Sequence, residues 1–242
     1  MFEWLPEAIR NLGVSPIARE RGWRFILNPP ATDDAIHWAE AALGLTFPPD
    51  LHAFLRQWDG ASLFRVERTL PDGNVFVTSE IGIRTAAGIV GLNQDYRSWH
   101  DPGDAAGWDH LIMFCDVPGP GADYCALSPI QVTPEGNYAV VDCHEDYGPR
   151  CWRRVVIAPS IEPWLRRLFR EATRNGDPYY WLNSPDVRAI LLECDRELQE
   201  ELPTSRPSSS PGPTSPIVNP SPTAQVFTYH EFHVVRDDEP GT

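Results

Sequence analysis

The chain has 242 residues, 42% of them hydrophobic, and a formal net charge of −14 at pH 7. This is enough length and apolar surface for one domain of moderate size with a real core and an appendage. The negative balance excludes nonspecific binding to nucleic acid or to an anionic membrane, since either needs a basic surface, and no apolar run is long enough to cross a bilayer.

The N-terminus, MFEWLPEAIRNLG, carries Glu3 and Glu7 and has neither a basic nor an apolar leader region, so the expected location is the cytoplasm. Five cysteines (Cys115, Cys125, Cys143, Cys151, Cys194) make an odd number with no C-x-x-C, which suits free thiols in a reducing compartment. All 20 basic residues are Arg. Coding bias accounts for that, and an acidic surface favours basic partners.

In chain order, Phe2, Leu5, Ile9 and Leu12 predict a short N-terminal helix closed by Gly13. Gly22 to Leu27 reads as a strand. Ala31 to Phe64 is the organising stretch: two amphipathic helices joined by a proline elbow and ended by an Asp-Gly turn. Thr32 caps the first helix, with Asp33 and Asp34 in its first turn and Ile36, Ala39 and Leu43 on one face, and Gly44 stops it. Pro48 and Pro49 start the second, where Leu51, Phe54, Leu55 and Trp58 repeat at the spacing of a buried stripe. Asp59-Gly60 turns the chain out.

Phe64 to Arg68 and Asn74 to Val77 predict strands around a Pro71-Asp72-Gly73 turn. Thr85 to Tyr96 predicts a helix. Leu111 to Asp116, Asp123 to Leu127 and Tyr138 to His144 are short apolar runs split by Gly and Pro, as in an antiparallel sheet. Ser160 is placed to cap a helix from Ile161 to Ala172. Ser184-Pro185-Asp186 opens a last helix carrying Val187, Ile190, Leu191, Cys194 and Leu198 on one side. From Pro203 to Gln225 the composition turns to Pro, Ser and Thr, which predicts a disordered linker with a reach of ~25 Å. Val226 to Val235 (VFTYHEFHVV) then has the residues of a strand, either added to a sheet edge or left as a ragged tail.

Several of these motifs, in this order, resemble the SUKH superfamily, whose founding member is a fungal cell-wall-assembly regulator. The first part is Leu43-Gly44, Phe47-Pro48 with Phe in place of the usual Leu, then Leu51, Phe54 and Trp58-Asp59-Gly60. The second is Phe114, Gly121 to Leu127, Gly136 to Val141 with His144, and Ile157 to Leu165. Ala122 between the Gly and the Asp, and Ser128 where Asp is frequent, depart from the pattern. The resemblance implies an α+β fold, with about six mostly antiparallel strands and packed helices, over 31–172. Residues 1–30 then form a lead-in, 173–202 a helical extension, 203–225 the linker and 226–242 the tail. Leu43, Pro48, Trp58 and Gly60 read as structural. Many bacterial members are similar to immunity proteins that bind and block a toxin, often a basic nuclease.

Three constellations bear on chemistry. Between Ser98 and Pro149 there is no Arg or Lys, while nine acids occur there, and Arg clusters afterwards from Arg150 to Arg174. One reading is an acidic docking face made by Asp101, Asp104, Asp109, Asp116, Asp123, Glu145 and Asp146, with Trp99 and Tyr124 as aromatic anchors. The other is solvated loops whose acids pair with the later arginines. Second, Cys115, Cys125, Cys143, His144 and Cys151 are metal-ligand types, but the adjacent pair Cys143-His144 would point to opposite faces of a strand, and small apolar strand residues are the plainer reading. Third, Asp142, His144 and Asp146 with His100 or His110 could do acid–base work. However, there is no G-x-S-x-G, H-E-x-x-H or phosphate loop, so a surface Asp-His pair is the plainer reading. The expectation is therefore a non-enzymatic binding protein with no metal and no cofactor, partnered by a basic toxin domain. A scaffold that recruits partners through its Pro-rich tail stands as one alternative, and a hydrolase or metal-binding protein as the other.

Overall fold

The computed structural model describes residues 1–71, 73–98, 110–117, 123–143, 155–179, 189–190, 192–194 and 196, with only the backbone of Asp123. The expected linker, the strand-like tail and most of the last predicted helix lie outside the described residues.

Two helices open the chain, α1 (Leu5–Gly13) and α2 (Pro16–Arg21), followed by β1 (Arg24–Leu27). The second helix was not expected. Ser15 caps it by accepting from the Ala18 N–H at 3.2 Å, and Pro16 occupies its first position. Next come α3 (Asp33–Leu43) and α4 (Pro49–Gln57). Thr32 Oγ1 accepts from the Ala35 N–H at 3.2 Å, and Gly44 ends α3 in the left-handed conformation, as the sequence reading holds. Trp58 differs from that reading. It follows the helix in an extended conformation and packs its ring 5.7 Å from that of Phe54.

The remaining elements are β2 (Ala61–Thr69), β3 (Val75–Ile83), α5 (Ala86–Ser98), β4 (Ile112–Val117), β5 (Asp123–Val132), β6 (Tyr138–Cys143), β7 (Val156–Ala158) and α6 (Ile161–Asn175). Among the described residues, seven strands form one sheet in chain order, β1 to β7, with every neighbouring pair antiparallel. This is the expected α+β class with one strand added, since β7 has three residues and is too short for a periodic signal. β2 and β3 are also longer than expected. Their register is broken around Phe64, which has φ 53°, so side-chain alternation is interrupted there.

Among the described residues, pairing between β3 and β4 runs through Gly82–Asp116 and Ile83–Cys115 and ends with the Arg84 N–H donating to Phe114 O at 2.8 Å. Beyond it, the buried Asn93 of α5 takes over. Its amide donates to Met113 O at 2.8 Å and accepts from the Met113 N–H at 3.0 Å, as a neighbouring strand would.

The helices α1, α3, α4 and α6, with Ala86, Ile89 and Val90 from the start of α5, build the main core against one face of the sheet, with Phe2, Phe54, Phe114 and Trp164 among its largest buried side chains. A second, smaller cluster lies on the other face. There Met113, Tyr124, Ala126, Val141 and Cys143 meet Tyr96 of α5 and the wholly buried Cys194. The helical residues around Cys194 therefore cover part of the sheet, so the region after α6 contributes to the core.

Asp50 links two helix starts. It is fully buried in the first turn of α4, where Oδ1 accepts from the Leu51 N–H at 2.9 Å and Oδ2 accepts from the Ile161 N–H, the first residue of α6, at 2.7 Å. Its own N–H donates to Asn137 Oδ1 at 2.9 Å. Ser160, the expected cap of α6, makes no side-chain cap bond, so Asp50 supplies the acceptor from across the fold. Asp59 behaves similarly, its Oδ1 accepting from the Ala86 N–H of α5 at 2.7 Å.

Candidate functional site

Chain topology decides which of the expected contact residues can meet. β4 ends at Val117, β5 begins at Asp123 and β6 ends at Cys143, so these three positions share one end of the sheet. Asp116 and Tyr124 are direct cross-strand partners there, and Tyr124 is in turn the partner of Cys143. His110, by contrast, precedes the opposite end of β4, about 17 Å along a six-residue strand. Trp99, Asp101, Asp104, Asp109, Glu145 and Asp146 lie outside the described residues.

Asp116 is ion-paired with Arg84, whose Nη2 donates to Oδ1 at 2.7 Å and whose Nε meets Oδ2. The carboxylate raises the Arg84 guanidinium above its usual range. Gly82, opposite Asp116 in the register, leaves the room for this pair, because a Cβ there would stand 3.2 Å from Asp116 Oδ2. Part of the charge at this end is thus neutralised internally, as in the alternative reading of the acids, although the partner precedes the acidic stretch instead of following it. Tyr124 is 9% exposed, and its ring sits 5.6 Å from Tyr96 in an edge-on contact. It serves chiefly to pack the second cluster.

The cysteines separate by face. Cys115 and Cys125 are cross-strand partners facing the main core, while Cys143 belongs to the cluster on the other side. The three do not converge on one point. Burial pushes the Cys115 and Cys143 thiols well above their usual range, which keeps them protonated and poor as ligands or nucleophiles. His144 and Cys151 lie outside the described residues.

Asp142 is 8% exposed and is the partner of Cys125. His110 lies by Ser128, Pro129 and Ile130, about 13 Å along β5 from Cys125, too far for a shared proton. His100 and Asp146 lie outside the described residues.

The structural residues sit as follows. Leu43 and Pro48 are buried on either side of the elbow. Gly60 has φ +87°, and a Cβ there would fall 2.7 Å from Ile83 O. One constellation escaped the sequence reading. His37, Glu40 and His52 lie on the outer seam of α3 and α4, with their potential ligand atoms all within 4.8 Å of one another. The i, i+3 spacing of His37 and Glu40 was visible in the sequence, but the position of His52 depends on how the elbow closes.

The model of the SMI1 / KNR4 family (SUKH-1) matches residues 30–167, more than half of the chain. The chain belongs to this family. The matched SUKH-1 region runs from just before α3 into α6 and so includes both helix starts that Asp50 joins. Compared with curated proteins, the chain has no significant match. Among the described residues of this SUKH-1 protein, no helix is long and apolar enough to cross a membrane.

Proposed function

We propose that this SUKH-1 protein is a non-enzymatic binding protein that captures and neutralises a basic toxin domain, in the manner of an immunity protein acting in the cytoplasm. The observation that carries this reading is charge. A chain of net charge −14 holds nine acids and no Arg or Lys between Ser98 and Pro149. Such an asymmetry speeds encounter with a cationic partner and disfavours anionic ones. Family membership supports the same reading at the level of the fold, since fold and function are separable.

The test is co-expression with a basic toxin module, chosen from the neighbouring genes, paired with binding measured against salt. Growth should be rescued, and affinity should fall steeply between low and physiological ionic strength. Neutralising Asp101, Asp104 and Asp109 together, or Glu145 and Asp146 together, should weaken binding at least tenfold. Deleting residues 203–242 should leave rescue intact. Rescue that needs the tail would favour the scaffold alternative, and loss of a measurable hydrolytic activity in His144→Ala would favour an enzyme.

A further inference from the structure

The helices α3 and α4 run antiparallel, and three features mark their exposed seam. Asp33 at the start of α3 pairs with Arg56 at the end of α4, Nε to Oδ1 at 2.9 Å. One turn further along, the rings of His37 and His52 lie 6.2 Å apart. At the elbow, Glu40 Oε1 accepts from the Phe47 N–H at 2.8 Å. Among the described residues, neither imidazole has a hydrogen-bond partner.

We propose that His37, Glu40 and His52 form a binding site for one zinc-class divalent cation that staples α3 to α4. Two imidazoles and a carboxylate are a donor set for zinc, cobalt(II) or nickel(II), and they disfavour calcium and magnesium, which take oxygen ligands. Three protein ligands leave a fourth, solvent-facing position for water. The ligand atoms fall within 4.8 Å of one another, and a tetrahedral ion wants them about 3.4 Å apart. His37 is exposed and His52 half-buried, so rotamer changes in an open seam can close that gap. Glu40 is already oriented by the Phe47 N–H, the kind of support that holds a metal-binding carboxylate in place. The Asp33–Arg56 pair occupies the neighbouring cation and anion with each other, so Arg56 does not compete for Glu40.

The experiment uses the untagged full chain, stripped with chelator and titrated with zinc chloride. Calorimetry and melting temperature are read for the wild type, for His37→Ala/His52→Ala, and for His230→Ala/His233→Ala, which removes the histidines of the tail. Zinc at a hundredfold excess over Kd should raise the melting temperature of the wild type and of the tail variant by about 5–10 °C. The seam variant should lose that rise, lose one equivalent of zinc or bind it at least tenfold more weakly, and melt like the metal-free wild type. The proposal is overturned if the seam variant keeps the rise and the stoichiometry, if the tail variant is the one that loses them, or if the wild type shows no zinc-dependent rise.

Discussion

The carboxylate of Asp50 accepts the backbone N–H of Ile161 at 2.7 Å, although the two residues are 111 positions apart. The same side chain also accepts from Leu51, so one acid satisfies donors at the starts of α4 and α6.

Replacing Asp50 by Ala strands those donors in the interior. Each lost cap and each unsatisfied buried N–H has a cost, and together they should remove about 2–4 kcal/mol. Urea denaturation of Asp50→Ala against wild type measures this. A loss under 1 kcal/mol would mean that water reaches the site and replaces the carboxylate.

Asp50 also makes stability depend on pH. Burial, only partly offset by the N–H groups of Ile161 and Leu51, raises its pKa from 3.8 to about 6. A carboxyl with a raised folded-state pKa contributes stability that is fully present below the unfolded value and lost as pH climbs through the folded one. This contribution therefore fades between about pH 4 and pH 6, by ~3 kcal/mol at most. Asp50→Asn should flatten the stability profile in that window, and an unchanged slope would place its origin in other groups.

Gly60 and Gly44 both have positive φ, but their surroundings differ. A Cβ at Gly60 would sit 2.7 Å from Ile83 O, whereas at Gly44 it would meet nothing within 4 Å. Gly44→Ala should cost about 1–2 kcal/mol from backbone conformation alone. Gly60→Ala adds a clash with backbone and should cost more than ~3 kcal/mol or prevent folding. Equal thermal shifts for the two variants would contradict this ranking.

Cys115, Cys125, Cys143 and Cys194 are all 0% exposed. In native protein they should resist iodoacetamide for hours, and all four should react within minutes in denaturant, as peptide mass spectrometry would show. Fast native labelling of Cys194 alone would indicate that the residues around it detach from the sheet.

The Arg84–Asp116 pair is a contrasting case. Its side chains are 47% and 29% exposed, and such pairs contribute less than ~1 kcal/mol. Arg84→Ala should lower the melting temperature by no more than about 4 °C, far less than Asp50→Ala.

Local chemistry made much of this fold legible. Thr32, Gly44 and Pro49 act through their immediate neighbours, so the elbow could be read from sequence alone. α2 was missed although Ser15-Pro16 is a fair helix start, because six residues carry too little periodicity. Ser160 looked like the cap of α6 because it is adjacent in sequence, and only the tertiary fold could bring Asp50 there instead. The same holds for His52, whose approach to His37 follows from the antiparallel closure of two helices. Asp116 reads as one of many acids until its register with Gly82 and its contact with Arg84 are known.

The bond from Asp50 to Ile161 also sets an order on biosynthesis. At ribosomal speeds of about 5–20 residues per second, the 111 positions between them take roughly 6–20 s to make. Throughout that wait the nascent elbow carries an unsheathed acid where its closing contact will later form. That contact can close only once the start of α6 has left the exit tunnel.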